Sequence, residues 1–163
     1  MAYDAFLKFE TPAVEGESTD EKHTGQIEVS SFSWGVVHAQ TVGSATGGGG
    51  SGRAALQDIH FTKDVDKSSS VLFQHCAVGT HFDKVTLSVR KAGGSQFEYL
   101  KFVMQTVFVS SYQVGSAHGQ ENATEQFSLA VGKFAYDYTP QKPDGSMGAS
   151  VHGGWDALAN KKF

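Results

Sequence analysis

The chain carries a single cysteine, three prolines and no long apolar run. With only Cys76, an intramolecular disulfide is excluded, and a reducing compartment suits its synthesis. Nothing approaches the roughly 20 consecutive apolar residues of a membrane-spanning helix, so no stable membrane insertion is expected. Basic residues number 13 against 17 acidic, scattered without a stripe, and the formal net charge is −4. Nucleic acid is therefore not an expected partner. The start, Met1–Lys8, lacks a basic segment followed by an apolar core and does not read as a secretory leader. A cytoplasmic origin is expected, with export needing a route that uses no cleaved signal.

What is abundant is aromatic and glycine content: twelve Phe, five Tyr and nineteen Gly in 163 residues. One domain covering 1–163 with a sizeable core is the simplest partition. Most of it alternates with period two. Tyr3–Phe9 predicts a first strand, and Gln26–Val37 a longer one carrying Ile27, Val29, Phe32 and Trp34. Ala54–Lys63 places Ala55, Ile59 and Phe61 on one face. Lys84–Lys91 alternates cleanly, as a half-buried antiparallel strand should. Phe97–Val109 is apolar on both faces and calls for cover by a helix, a second sheet or a neighbouring subunit. In Gln126–Thr139 the apolar phase flips at Gly132-Lys133, and a β-bulge there is the simplest account.

One helix is expected, capped by Ser68, Ser69 or Ser70 and ended by Gly79. It presents Val71, Leu72, His75, Cys76 and Val78 near one face. Val42–Arg53 and Pro140–Gly154 read as loops. The expected architecture is mainly β: an antiparallel β-barrel plugged by one short packed α-helix, with an extended Gly-rich loop.

Chemistry-bearing patterns are thin. The glycine run Gly47–Gly52 lacks a phosphate-loop lysine, because Arg53 and Ala54 stand at the lysine and hydroxyl positions and a strand follows. The seven histidines show no metal-ligand spacing. His75 and Cys76 are adjacent on a helix and point about 100° apart, so they do not form a nucleophile–base pair. No G-x-S-x-G elbow occurs. Asn122-Ala123-Thr124 matches a glycosylation sequon but reads as a turn. No catalytic, cofactor-binding or metal site is expected, and no enzyme.

The segment Gln57-Asp58-Ile59-His60-Phe61-Thr62-Lys63-Asp64-Val65-Asp66-Lys67-Ser68 resembles a stretch of the haemolysin-coregulated protein (Hcp) family of type VI secretion systems. Further segments resemble that family in order: Ala2–Lys8, Gly16-Glu17-Ser18 with Asp20, Ser33-Trp34-Gly35, Arg90-Lys91-Ala92-Gly93-Gly94 with Glu98-Tyr99-Leu100, Thr124-Glu125, Tyr138 to Gly145, and Gly154-Trp155. Thr11–Val14 and Ser116–Glu121 fit the pattern less closely. The resemblance implies a compact antiparallel β-barrel of two curved sheets with one packed α-helix, and a homohexameric ring whose copies stack into an expelled tube. It implies as partners a spike protein (VgrG), a contractile sheath and small effector proteins held in the ring lumen. It points to Ser33, within Ser-Trp-Gly, as a lumen-facing effector contact. By position and glycine content it points to Gly47, Gly48, Gly49, Gly50, Ser51, Gly52 and Arg53 as contacts between protomers or rings. A phage tail-tube protein and a small-ligand-binding barrel are the alternatives, the second requiring an interior cavity.

Overall fold

In the computed structural model, residues 3–41, 50–92 and 96–163 are described. Eleven strands and one helix follow in chain order: β1 (Tyr3–Glu10), β2 (Ile27–Val29), β3 (Ser31–Ser33), β4 (Val36–Thr41), β5 (Gly50–Leu56), β6 (Ile59–Asp64), α1 (Ser69–Val78), β7 (His81–Lys91), β8 (Glu98–Gly115), β9 (Thr124–Tyr138), β10 (Val151–Asp156) and β11 (Lys161–Lys162). Every ladder is antiparallel.

The pairings close on themselves. β1 pairs with β7, β7 with β8, β8 with β9, and the first half of β9 with β6. β6 pairs with β3 and β1 with β2. The expected strand from Gln26 is thus divided at Ser30, where the inward residues change from Ile27 and Val29 to Phe32 and Trp34. That switch lets one stretch of chain pair with β1 first and β6 next, which seals the barrel. β10 and β11 extend the second half of β9 outward.

The phase flip expected at Gly132 is real, but a one-strand bulge does not cause it. Phe82 precedes Val85, Leu87 and Val89 as the buried apolar residues of β7. Met104 gives way to Val107 on β8, and Leu129 to Phe134 on β9. All three strands change face on one row, Asp83–Thr106–Gly132, so their register passes through intact. Thr106 sits there at φ 57°, and Thr11, whose carbonyl accepts the Asp83 N–H, at φ 53°. This transverse crease folds the sheet sharply. It also explains the doubly apolar Phe97–Val109: most of its side chains face one interior, on either side of the crease. The register shift on the β8–β9 ladder lies instead at Val109/Ser111.

Helix α1 lies over the barrel end formed by the close of β6 and β8 and the start of β7 and β9. Leu72 is its fully buried apolar residue, while Val71 and Val78 of the expected apolar face are exposed. Gly79 closes it in the left-handed region at φ 77°, where a side chain is disfavoured. At the opposite end the mouth is filled by rings. Trp34 stacks on Phe134 at 3.8 Å between centroids, and Phe102 meets both. Phe9, Phe61, Phe82 and Phe127 fill the middle. Each such ring removed from water contributes about 1.5–3 kcal/mol.

Three expected elements have different bounds. Ala54–Lys63 is two strands in different sheets, broken at Gln57-Asp58. The loop expected over Val42–Arg53 gives up Gly50–Arg53 to β5, and the loop expected over Pro140–Gly154 gives up its end to β10. Sequences such as Gly-Ser-Gly and His-Gly-Gly carry no apolar alternation. Their partners across the ladder, not their side chains, make them strands.

Candidate functional site

Ser33 ends β3 directly opposite His60 of β6. Phe32 and Trp34 turn inward on either side of it, so its hydroxyl points outward, as the alternation requires. Gly35 supports this corner: a Cβ there would stand 2.7 Å from Gln57 Oε1, and Gly35 O accepts the Gln57 N–H at 3.0 Å. Across the barrel wall the rung continues from Ser33 and His60 to Ser128 and Ser111. The next rung holds Ser31, Thr62, Gln126 and Gln113. Two adjoining depressions meet at Ser33 and His60, one reaching Gln57 and Asp58, the other Gln113 and Gln126. Hydrogen bonds fix one border: Ser110 Oγ donates to Asp58 Oδ2 at 2.7 Å and contacts Ser128 Oγ at 2.7 Å. The result is a polar trough on the outer wall of a fully packed barrel.

The segment that resembles the Hcp family most closely serves a different end. Lys63 follows Ile59 and Phe61 on the inward face of β6 and is 1% exposed. Its ammonium lies 2.5 Å from Glu125 Oε1, a carboxylate likewise 1% exposed, and 2.8 Å from Asp66 Oδ1. Tyr112 donates its hydroxyl to Glu125 Oε2. Burial, then that hydrogen bond, pushes the Tyr112 phenol up to about 12. Asp66 Oδ1 also accepts the Ser68 N–H at 2.8 Å and the Ser68 hydroxyl, while Ser69 Oγ accepts the Asp66 N–H at 2.9 Å. Ser68 stands at the helix N-cap without capping through its side chain. The start of α1 is instead pinned through Asp66 to the buried lysine.

A second network joins two other segments. Arg90 lies on the outward face of β7, covered by the loop before β2, and is bound by Asp20 through both terminal nitrogens and by Asp4 at 3.2 Å. Its guanidinium lies 5.0 Å from the Phe6 ring, which stacks on His23 at 4.4 Å. The Gly16–Asp20 and Arg90–Lys91 segments, distant in sequence, are thus two halves of one clamp.

Acid should loosen both networks. The Arg90 hydrogen bonds, foremost, hold the Asp20 carboxyl below its ordinary value of 3.8. Burial opposes ionisation of Asp66, but hydrogen bonds from Lys63 and Ser68 outweigh it and leave its carboxyl lowered as well. A carboxyl lowered in the folded state stabilises fully above its unfolded value, and that contribution disappears as pH falls through the folded value. Thermal melts are expected to be flat from neutral pH to about pH 5 and to fall steeply below about pH 4. The variant Arg90→Gln should show a shallower acid limb. An acid limb as steep as the parent's would remove Asp20 from the account.

The β4–β5 hairpin forms its own two-stranded sheet. Val36 and Val37 at its base are 52% and 51% exposed. Arg53 Nη2 donates to Ala157 O at 2.7 Å, within the chain. Of the glycine-rich positions expected to make contacts, Gly50, Ser51, Gly52 and Arg53 belong to β5, and Gly47, Gly48 and Gly49 lie outside the described residues. Ser33 and the hairpin are both on the surface. His75 Nδ1 meets Thr80 Oγ1 at 2.8 Å, and Cys76 packs against the core. Among the described residues no three His, Cys, Asp or Glu side chains gather to hold a metal, and no helix is long and apolar enough to cross a membrane.

Residues 6–138 match the family model described as type VI secretion system effector, Hcp. The chain is 40% identical over 162 residues to "Protein hcp1" of Pseudomonas aeruginosa, covering 98% of both. A solved type six secretion system protein superposes with a TM-score of 0.91 at 32% identity, over 99% of this chain and all of that one. Hcp1 from Salmonella typhimurium superposes at 0.80 with 30% identity, over the whole of both chains.

Proposed function

The chain belongs to the Hcp family of type VI secretion proteins, and from that premise we propose that it is the structural subunit of an expelled tube. Residues 1–163 act as one barrel domain, six copies close into a ring, and rings stack. The tube works beneath a spike protein inside a contractile sheath. The subunit is made in the cytoplasm and leaves without a cleaved signal, carrying small effector proteins in the ring lumen. It works by assembly and not by catalysis.

The observation that carries this reading is the β4–β5 hairpin. Among the described residues its strands pair only with each other, and Val36 and Val37 are left half exposed. An arm of that kind is suited to a heterologous contact, in which each copy grips a different surface of the next and the rotation closes a ring. A barrel that binds a small ligand needs an interior cavity, whereas phenylalanines fill this one.

Light scattering on a sizing column, with negative-stain images of the same peak, tests the assembly. A six-fold mass and open-centred rings are expected. A monomer at every concentration would overturn the tube reading and leave the fold standing. Ser33 is assigned to the lumen as an effector contact. Ser33→Gln is expected to lower co-purified effector several-fold from rings of unchanged mass. Equal effector in a pull-down from matched rings would remove Ser33 from the site.

A further inference from the structure

Charge is divided unevenly over the outer wall of the barrel. The side made by β1, β7, the first half of β8 and the second half of β9 carries Asp4, Lys8, Lys84, Lys101, Lys133 and Asp137 in outward positions. The other side, built from β3, β6, the first half of β9 and the second half of β8, carries the two polar rungs around Ser33. Neither rung contains Asp, Glu, Lys or Arg. Carboxylates stand at its two ends: Asp58, engaged by Ser110, at one, and exposed Asp64, one rung beyond Thr62, at the other.

Hydroxyls and primary amides each donate and accept, whereas carboxylates only accept and ammonium groups only donate. An array of two-way groups pairs best with other two-way groups: peptide bonds, Asn, Gln, Ser and Thr. A charged partner surface would lose hydration here and meet no counter-charge, so it is disfavoured. Adjacent strands about 4.8 Å apart place the exposed members of the two rungs within reach of one extended segment, while Ser128, 2% exposed, is held by the Ser110 and Ser111 hydroxyls.

We infer that this trough docks polypeptide surfaces poor in charge and rich in amide and hydroxyl groups, with His60 and Gln126 setting specificity beside Ser33. The inference rests on assigning the Ser33 face to cargo. Recognition there is salt-insensitive, and it selects cargo by the absence of charge on the contacting surface.

The test is a titration of the isotopically labelled full chain, followed by backbone amide resonances, with three peptides of about 15 residues. One is built from Asn, Gln, Ser and Thr, one is Lys-rich, and one is Glu-rich. The uncharged peptide is expected to shift amides of β3, β6, the start of β9 and the end of β8. Its affinity should change less than twofold between about 50 and about 500 mM NaCl, where screening removes exposed charge effects. His60→Glu and Gln126→Glu, both at exposed positions, should each weaken it at least fivefold. Absence of trough shifts, or tighter binding of either charged peptide at low salt, would overturn the inference. Ring mass in the same samples reports separately on the tube reading, so either can fail alone.

Discussion

Replacing Lys63 with methionine is expected to lower the unfolding free energy by about 3–5 kcal/mol, the cost of leaving a buried carboxylate without its cation. The side chain is 1% exposed, and its two anionic partners lie within 2.8 Å. Methionine matches its length and tolerates the apolar surroundings, so packing changes little. What changes is Glu125, which keeps the Tyr112 hydroxyl as a partner but loses its counter-charge. Asp66 is released too, and with it the anchor of the first turn of α1. For a chain of this size the loss corresponds to roughly 10 °C in Tm. Guanidinium melts at matched protomer concentration measure it. The double variant Lys63→Met with Glu125→Gln should recover at least half of the loss, because a neutral amide can still pair with Tyr112 and the fully buried charge is gone, while Asp66 keeps its Ser68 hydrogen bonds. A single variant losing under about 1 kcal/mol, small beside the buried-pair range, would mean that Glu125 finds another partner or takes up a proton.

That network was within reach of the sequence. Ile59, Phe61 and Lys63 share one parity, as do Glu125, Phe127 and Leu129, so the period that assigns the core also puts a lysine and a glutamate in it. Two opposite charges on inward positions of neighbouring strands are a signal of a buried pair. The face expected over Ala54–Lys63 stops at Phe61 and leaves Lys63 out of the core. Arg90 was beyond reach in that way. Its parity is outward, and its burial comes from the loop carrying Asp20, 70 residues earlier. The crease at Asp83–Thr106–Gly132 was half legible. The phase change along β9 was visible, but a flip shared by three strands is a property of pairing and no single strand reports it. β10 and β11 were invisible, since neither His-Gly-Gly in β10 nor the lysine pair of β11 carries apolar alternation, and each owes its form to the strand it pairs with. The outward direction of Ser33 follows from the sequence, because one serine between two inward aromatics admits one direction only. Its neighbours His60, Thr62 and Gln126 follow only from the register across β6 and β9.

Trimming Gly47–Gly52 is expected to disperse the rings while leaving the barrel intact. The cut removes the far end of the hairpin and spares its base, where Val36 pairs with Leu56, Val37 with Ala55 and His38 with Ala54. No strand of the closed barrel is touched. Closing a shorter loop changes chain entropy by only about 0.6 kcal/mol per twofold change in length, so Tm should move by no more than about 2 °C. The ring is another matter. If each copy holds the next through this arm, every interface loses the same contact at once, and six equal losses act on one closed assembly. The expected readout is a fall from ring mass to monomer mass by light scattering at micromolar protomer, with an unchanged far-ultraviolet spectrum. Val36→Asp, which leaves the arm at full length but charges its exposed apolar base, should weaken assembly in the same direction. If the arm contributes reach alone, the trimmed chain disperses and the charged one does not. Tubes of normal appearance from the trimmed chain would show that the arm is not what joins the subunits.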